Sequence, residues 1–358
     1  MARTIDISAA PDDAAFEQVF AGTLIEFSEL VRELGGDPAP LLRAARIDSA
    51  KVDLVTPQVS FRSMIDLLEG AAEALQCPDF GMRLAARQGG GKVFGAMGVV
   101  MRNSGNLGEA LRYASAHIQA YSLAGGMPIE EERETGRVFV GLDILIDGVP
   151  DRSQTIEQHL LLAHYNAMEI TRGQARVRQV RLRHRPLSPL RVYRRYFGCE
   201  VLFDQAADGI VFSRADMNTA VIDPDVSQHD RAADFIDAHF PPAPVPLHAR
   251  VRGLVMKSLG VGDCSIDGIA NTLALHPRTL HRRLREERRS FEEVKDEVRR
   301  DLAQYYIERT DMPFTRIAEK VGYSETSVLT RSCHRWFDAS PRALRQGRVG
   351  LDGMNRAV

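Results

Sequence analysis

Residues 265–284 read SIDGIANTLALHPRTLHRRL, and this stretch decides the fold of the last third of the chain. Ser265 is a typical N-cap for a first short helix, and a proline at position 277 suits the first turn of a second helix. A tight turn at 274–276 lies between them. Ala270 is small enough to permit the close crossing that a helix-turn-helix requires, and the second helix carries basic side chains. We therefore predict a helix-turn-helix here.

The same scheme recurs about 48 residues later, where Ala318 takes the place of the small residue. A turn follows at 322–324, and a second helix with polar and basic side chains covers 326–337. Two copies indicate a duplication rather than a repeat array.

One long helix connects the two predicted units. Ser290 and Glu293 form a capping box at its start, and apolar residues recur every three or four positions up to about Arg309. About 19 residues extend about 28 Å, close to the roughly 34 Å that separate successive major-groove faces of DNA. We predict that this helix presents both units to one side of a duplex, within an all-α domain of seven helices.

Charge divides the chain near the same place. From Pro246 onward there are 21 Lys and Arg against 15 Asp and Glu, whereas the preceding part has 25 against 33, within a net charge of −2. Clustered Arg and Lys attract phosphates locally, so the basic part is expected to meet a polyanion. Prolines concentrated between 241 and 246 predict a linker. The predicted organisation is a first domain over 16–226, a linker over 227–247 and a second domain over 248–346.

The first domain is predicted to be mixed α/β, with an effector-sensing or dimerisation role. Apolar spacing and helix caps indicate helices at 16–34, 61–75, 106–121 and 154–171. Short runs rich in β-branched and aromatic residues indicate strands at 138–146, 177–182, 201–203 and 210–212. The effector-binding residues are left unassigned, because ordinary burial explains the candidate side chains as well as a pocket does: His117, Tyr121, His159 and Tyr165.

Composition and cysteine placement exclude several classes of protein. The 358 residues, 44% hydrophobic and 26% charged, suit two globular domains. No apolar run approaches the roughly 18–20 residues of a membrane span, and the acidic N-terminus is unlike a secretion signal, so a cytoplasmic protein is expected. Gly89-Gly90-Gly91-Lys92 lacks the spacing of a phosphate-binding loop. We expect no cofactor. We also expect no zinc site and no disulfide scaffold, because the four cysteines are scattered: Cys77, Cys199, Cys264 and Cys333.

The motifs of the last third resemble the AraC/XylS family of transcription regulators, in the family's order and spacing. The matching pieces are 265–270, 277–284, 322–327, 335–337 and Ser340-Pro341. The sequence departs from the family pattern at Leu329 and Cys333, where phenylalanine is usual, and at Asp338, where glycine is frequent. Upstream, similarity to the family's arabinose-binding type of N-terminal domain is carried by 42–44, 80–85, 95–98, 107–111 and 196–203.

The resemblance also implies which residues bind DNA. In the first helix-turn-helix the base-reading positions fall on Arg278, His281 and Arg282. In the second they fall on Thr326, Ser327 and Arg331. The predicted DNA-binding set is completed by Thr279, Arg285 and Thr330. Arginine pairs with guanine in the major groove, and Ser or Thr contacts bases or phosphates. The alternative is a solvated helix face, since the arginines alternate with Glu286 and Glu287. Trp336 is expected to be a core residue.

We therefore expect a sequence-specific transcription regulator, with no catalytic residue, rather than an enzyme. Its expected partners are double-stranded promoter DNA, a small-molecule effector and a second copy of the chain. The resemblance adds RNA polymerase and favours activation, although the sequence permits repression equally. Two alternatives stay open: a ligand-independent regulator whose first domain only dimerises, and an enzyme fused to a DNA-binding module, for which the candidate nucleophiles are Cys77 and Cys199.

Overall fold

The computed structural model describes residues 13–52, 58–242, 245–260, 262 and 264–354 of the chain. The chain divides into two compact units. The first lies within Met1–Ile144 and Arg152–Val245, and the second within Leu145–Asp151 and Pro246–Val358. None of the helices in these described ranges combines the length and the apolar character that a membrane span requires.

The first unit is mixed α/β, as predicted. Its α-helices are α1 (Asp13–Phe16), α2 (Phe27–Glu33), α3 (Pro38–Ala44), α4 (Phe61–Ala74), α5 (Phe80–Gln88), α6 (Ala96–Arg102), α7 (Leu107–Ala116), α8 (Ser153–Ile170), α9 (Leu190–Phe197), α10 (Arg214–Met217) and α11 (Val226–His239). Short 3-10 turns are found at Ala21–Leu24, Ser49–Lys51, Gly91–Phe94 and Ile118–Ala120.

The strands of the first unit form one five-stranded sheet and two short pairs. They are β1 (Gln18–Phe20), β2 (Gln58–Ser60), β3 (Gly125–Gly126), β4 (Ile129–Glu131), β5 (Val138–Gly141), β6 (Asp143–Ile144), β7 (Gln179–Arg181), β8 (Glu200–Leu202) and β9 (Gly209–Phe212). The sheet order is β4-β5-β9-β7-β8, with only β7 and β8 parallel, while β1 pairs with β2 and β3 with β6. All residues of β5 and β9 are buried, which explains their continuous apolar runs.

Three predicted elements of this unit differ from the structure. The strand expected over 138–146 is interrupted at Leu142 and forms β5 and β6, which belong to different sheets. The single helix expected over 16–34 is replaced by α1, β1, a 3-10 turn and α2. Tertiary contacts override the helical spacing there, because Val19 is buried within a strand pair and a side chain at Gly22 would lie 2.3 Å from the carbonyl oxygen of Val93. The helix capped by Asn106 ends at Ala116 rather than near Tyr121, although its cap is confirmed.

Helix α8 is the most deeply buried helix of the first unit, with interior side chains along its whole length. It packs against α5 and α4. Gly81 on α5 makes this approach possible, since a Cβ at this position would lie 2.2 Å from the carbonyl oxygen of Gln154. The Gln154 side chain accepts a hydrogen bond from the Gly81 N–H at 2.7 Å. Helix α8 therefore forms one wall of the interior of this unit.

The second unit is all-α, and its described part contains the seven predicted helices. They are α12 (Leu247–Ser258), α13 (Ile266–Thr272), α14 (Pro277–Glu286), α15 (Phe291–Arg309), α16 (Phe314–Lys320), α17 (Thr326–Phe337) and α18 (Pro341–Met354). Ser265 caps α13 by accepting from the Gly268 N–H, and Ser290 and Glu293 form the reciprocal capping box at the start of α15. The caps predicted from the sequence are therefore confirmed at the starts of α13 and α15.

One hydrophobic cluster joins both helix pairs of this unit through α15. Val298 of α15 is fully buried within it, as are Leu329 and Cys333, the two departures from the family pattern. Trp336 is half-buried and packs against this cluster, as expected, and its Nε1–H donates to Asp296 of α15 at 2.8 Å. Leu329 and Cys333 are smaller than the phenylalanines usual in the family, and both are accommodated in a packed core.

Candidate nucleic-acid interface

The turns of the two helix pairs have the same hydrogen-bond pattern. The Leu275 N–H donates to the carbonyl oxygen of Ala270 at 2.9 Å, and the Tyr323 N–H donates to that of Ala318 at 2.8 Å. The first residue of each turn has a left-handed backbone, with φ 53° at Ala274 and φ 71° at Gly322. The predicted small residues are therefore confirmed in equivalent places, 48 positions apart.

The second helices of the two pairs, α14 and α17, are equivalent with a spacing of 49 residues. Leu280 and Leu284 anchor α14 in the core, and Leu329 and Cys333 anchor α17, so the later turn is one residue longer. Counting from these anchors places three exposed or half-exposed pairs in equivalent positions, namely Arg278 with Ser327, His281 with Thr330 and Arg282 with Arg331. Each helix buries one face and presents the other to solvent.

Four predicted residues of α14 lie together around one surface depression, namely Arg278, His281, Arg282 and Arg285, with Glu286 beside them. All are exposed. Arg282 donates to Glu286 at 2.6 Å in a pair whose side chains are 65% and 57% exposed. Arg278 and Arg285 have no ion pair among the described residues. The depression therefore offers unpaired cations to an anionic surface, while Thr279 is half-buried at its side.

The predicted residues of α17 differ in availability. Arg331 is exposed and has no ion pair within the described ranges, whereas the Thr330 hydroxyl donates to the carbonyl oxygen of Thr326 at 3.1 Å. Ser327 is exposed, and its hydroxyl donates to Glu325 at 2.8 Å. Thr326 is half-buried. Sequence reasoning missed His334, which is exposed at the position equivalent to Arg285 and is revealed by the 49-residue spacing.

Two cationic side chains of α15, one helical turn apart, each contact one of the two helix pairs. Lys295 Nζ donates to the carbonyl oxygen of Cys264, just ahead of α13, at 2.6 Å. Arg299 Nε donates to the carbonyl oxygen of Val321 at 3.1 Å, and its guanidinium lies 4.6 Å from the centre of the Tyr323 ring. The connecting helix α15 thus contacts both helix pairs by polar bonds as well as through their shared hydrophobic core.

Enzymatic and metal chemistry find little support in the described part of the chain. It contains no group of three or more His, Cys, Asp or Glu able to hold a metal ion. Burial and the neighbouring Asp79 raise the pKa of Cys77 to about 11, and burial and Glu200 raise that of Cys199 to about 11. Both thiols are therefore protonated near neutral pH, which makes them poor nucleophiles.

Comparisons with known proteins match both halves of the chain. Residues 35–221 match the arabinose-binding domain of AraC transcription regulator, N-terminal, and residues 269–347 match a helix-turn-helix domain. The chain is similar to the HTH-type transcriptional regulator VirS of Mycobacterium tuberculosis, with 32% identity over 325 residues, or 91% of this chain and 95% of VirS.

Two further proteins are similar at lower identity. The ornithine utilization regulator of Pseudomonas aeruginosa is 23% identical over 329 residues, covering 89% of this chain and 93% of that protein. Among solved structures, the transcriptional regulator CdpR from Pseudomonas aeruginosa is 20% identical and covers 86% of this chain and 96% of CdpR, with a TM-score of 0.40. The sequence similarity therefore extends over both units.

Proposed function

Because this chain belongs to the AraC family of transcription regulators, we propose that it reads promoter DNA with the exposed faces of α14 and α17. The chain is a DNA-binding regulator and not an enzyme. The observation that carries the proposal is the depression on α14, where Arg278 and Arg285 have no ion pair in the described part of the chain and lie beside Arg282. Arginines without an ion pair can bind DNA phosphates and the edges of bases in the major groove.

Each exposed helix enters a major groove in this proposal. Arg282 and Arg331, which occupy equivalent positions, pair with guanine edges through their two-pronged guanidinium groups. Ser327, His281 and the half-buried Thr279 contact nearby bases or phosphates. The 19 residues of α15 set the separation between the two helices. One monomer thereby recognises two patches of one site.

We further propose that the first unit controls this binding in response to a small molecule. The proposed domains are 16–226 for effector sensing and dimerisation, 227–247 as connection, although this stretch includes most of α11, and 248–346 for DNA. Support for an effector comes from the type of domain matched and from the cavities inside the unit. A homodimer, contact with RNA polymerase, activation of transcription and action in the cytoplasm complete the proposal.

The test uses the full chain and a duplex selected by it from a randomised pool. Arg282→Ala and Arg331→Ala should each cost about 1–3 kcal/mol of binding free energy and relax base preference in different parts of the site. Arg250→Ala, which removes another exposed arginine from α12, is the matched control and should leave base preference unchanged. Equal losses on every sequence for all three variants would refute base reading by α14 and α17.

A further inference from the structure

An interior cavity of about 110 Å³ lies in the first unit between α6, α7, α8 and the strands β5 and β9. Most of its wall is apolar, as its side chains show: Met97, Met101, Leu111, Ala114, Leu160 and Ile210. An apolar cavity of about 150 Å³ holds one benzene molecule, so this cavity suits a group of comparable or slightly smaller size.

The polar part of the wall is a hydrogen-bonded pair. Tyr121 OH lies 2.5 Å from His159 Nε2, and His159 Nδ1 lies 2.7 Å from the carbonyl oxygen of Thr155. Because a carbonyl oxygen only accepts, Nδ1 carries the hydrogen and Nε2 accepts from Tyr121. Burial lowers the pKa of His159 to about 4 and raises that of Tyr121, so both groups are uncharged at neutral pH. The tyrosine oxygen also lies 3.2 Å from Thr23 Oγ1, and because its own hydrogen goes to His159, the Thr23 hydroxyl is the donor in that contact. One lone pair of the tyrosine oxygen remains as an acceptor.

A second acceptor in the wall lacks a partner. Asn166 of α8 is 1% exposed and borders the cavity, and its Oδ1 lies beside Gly91, where a Cβ would be 2.1 Å away. Its Nδ2 reaches Met101 Sδ at 3.7 Å, while its Oδ1 has no hydrogen-bond partner among the described residues. A buried carbonyl left without a donor is costly, so a donor from a bound molecule would be favoured here.

The cavity adjoins a larger outer one. Phe94, Met97 and Tyr121 border both the inner cavity and an outer cavity of about 960 Å³. The Tyr121 ring meets Phe94 and Phe20 edge-on, each with 6.3 Å between ring centres. Phe94 and Tyr121 therefore lie between the two spaces, and Phe20 packs against Tyr121 on the side of the outer cavity.

We propose that the inner cavity binds a small, uncharged, mainly apolar molecule with one hydrogen-bond donor, and that this molecule, rather than a sugar, is the effector. The inference rests on the proposed effector response of the first unit. Phenol has the matching size and a single donor for Tyr121 or Asn166. A pentose would leave most of its hydroxyl groups against Met, Leu and Ile side chains, which is unfavourable. A carboxylate would lose its hydration against uncharged groups.

Thermal unfolding of the full chain with phenol, toluene, benzoate or arabinose tests the proposal. Phenol should raise the melting temperature increasingly with concentration, and by more than toluene, which has a similar size but no donor, because both bind the native state only. Ala114→Leu, which fills the cavity, should abolish these shifts. Ala116→Leu, an exposed position on the same helix and outside both cavities, should retain them. Stabilisation by arabinose or benzoate instead, an equal phenol shift in Ala114→Leu, or no shift with any probe would overturn the proposal.

A second measurement locates the site without a variant. In full-length protein with ¹³C-methyl methionine, phenol should move the methyl resonances of Met101 and Met127, which border the cavity, and leave that of Met82, buried elsewhere, unchanged. Perturbation of Met82 alone would refute the site. Both experiments are performed without DNA. A protein that binds phenol but no selected duplex would contradict the DNA proposal only, and the reverse outcome would contradict only this inference.

Discussion

Asp301 accepts a hydrogen bond from the backbone N–H of Gly148 at 2.9 Å, although 153 positions separate the two residues in the sequence. The same carboxylate binds Arg252 of α12, and the two side chains are 4% and 3% exposed. Gly148 belongs to residues 145–151, which form part of the second unit. Asp301 thus joins three segments of this unit at one buried point on α15.

The segment 145–151 is also attached at both ends by charge. Arg289 lies 3.3 Å from Asp147, and Arg309 at the end of α15 lies 3.1 Å from Asp151. The chain therefore contributes to the DNA-binding unit twice, once through this short segment and once through the helices after Pro246. The segment is held against the connecting helix and the residue just before it by these two ion pairs and by the hydrogen bond from Gly148.

Removing the charge of Asp301 should strongly destabilise the second unit. Asp301→Asn leaves Arg252 as a buried cation with a weakened partner, and the free energy of unfolding should fall by about 3–5 kcal/mol. Urea denaturation followed by circular dichroism measures this. Glu292→Gln, an exposed change on the same helix, is the control and should stay within about 0.5 kcal/mol of the wild type. Equal stability of both variants would contradict a structural role of the buried pair.

Releasing Arg282 from Glu286 should strengthen DNA binding. The ion pair competes with DNA for the guanidinium, and the carboxylate repels phosphates, so Glu286→Gln should tighten binding by about 0.5–1 kcal/mol. Glu319→Gln breaks a similarly exposed pair, Arg316 with Glu319 at 2.6 Å, outside the depression. Fluorescence anisotropy at several salt concentrations measures both. A gain of equal size in the control would show that only net charge matters.

Substitutions at the first, left-handed residues of the two turns should differ in their effect on stability. Ala274 has a left-handed backbone that costs a residue with a Cβ about 1–2 kcal/mol, so Ala274→Gly should leave stability unchanged or raise it by up to about 1 kcal/mol. Gly322→Ala should lower it by about 1 kcal/mol, since its Cβ would meet only ordinary contacts at 3.6 Å and the loss would be conformational. Thermal unfolding of the two variants measures these changes in stability. Destabilisation by both substitutions would contradict the equivalence of the turns.

The first unit should lose stability in mildly acidic solution. Burial lowers the pKa of His159 to about 4, whereas an unfolded histidine titrates near about 6.5. Protonation therefore favours the unfolded chain, and as the pH falls from about 6.5 to about 4 the free energy of unfolding should decrease by up to about 3 kcal/mol through this residue. Burial, with Arg176, lowers the pKa of His164 to about 4 and adds to the effect.

Denaturant unfolding of the first unit, measured between pH 7.5 and pH 4.5, determines this dependence. His159→Gln should flatten the slope without removing it, since His164 remains. His334→Gln, an exposed change in α17, should leave the slope unchanged. A slope in His159→Gln as steep as in the wild type would show that this histidine is not held neutral in the fold.

Helix caps and apolar spacing located the starts of α13, α14 and α15 in the second unit within a residue or two. Ser265, Ser290 and Pro277 act through bonds and dihedral preferences within one helical turn, so their effect is readable from neighbours in the sequence. Where tertiary pairing opposed the local pattern, as at Val19 in β1, the prediction of a helix was wrong. The DNA-binding residues stay a prediction, but the structure shows that Arg282 has a competing partner.

By itself, the sequence determined the family, the helical nature of the last third and the residues that could face DNA, because these depend on motifs and on contacts three or four positions apart. Only the tertiary structure decided the 49-residue equivalence of α14 and α17, the bond from Gly148 to Asp301, and the cavity bordered by Ala114 and His159. Each of these depends on segments brought together across large sequence separations, where packing and burial, rather than local preference, select the partners.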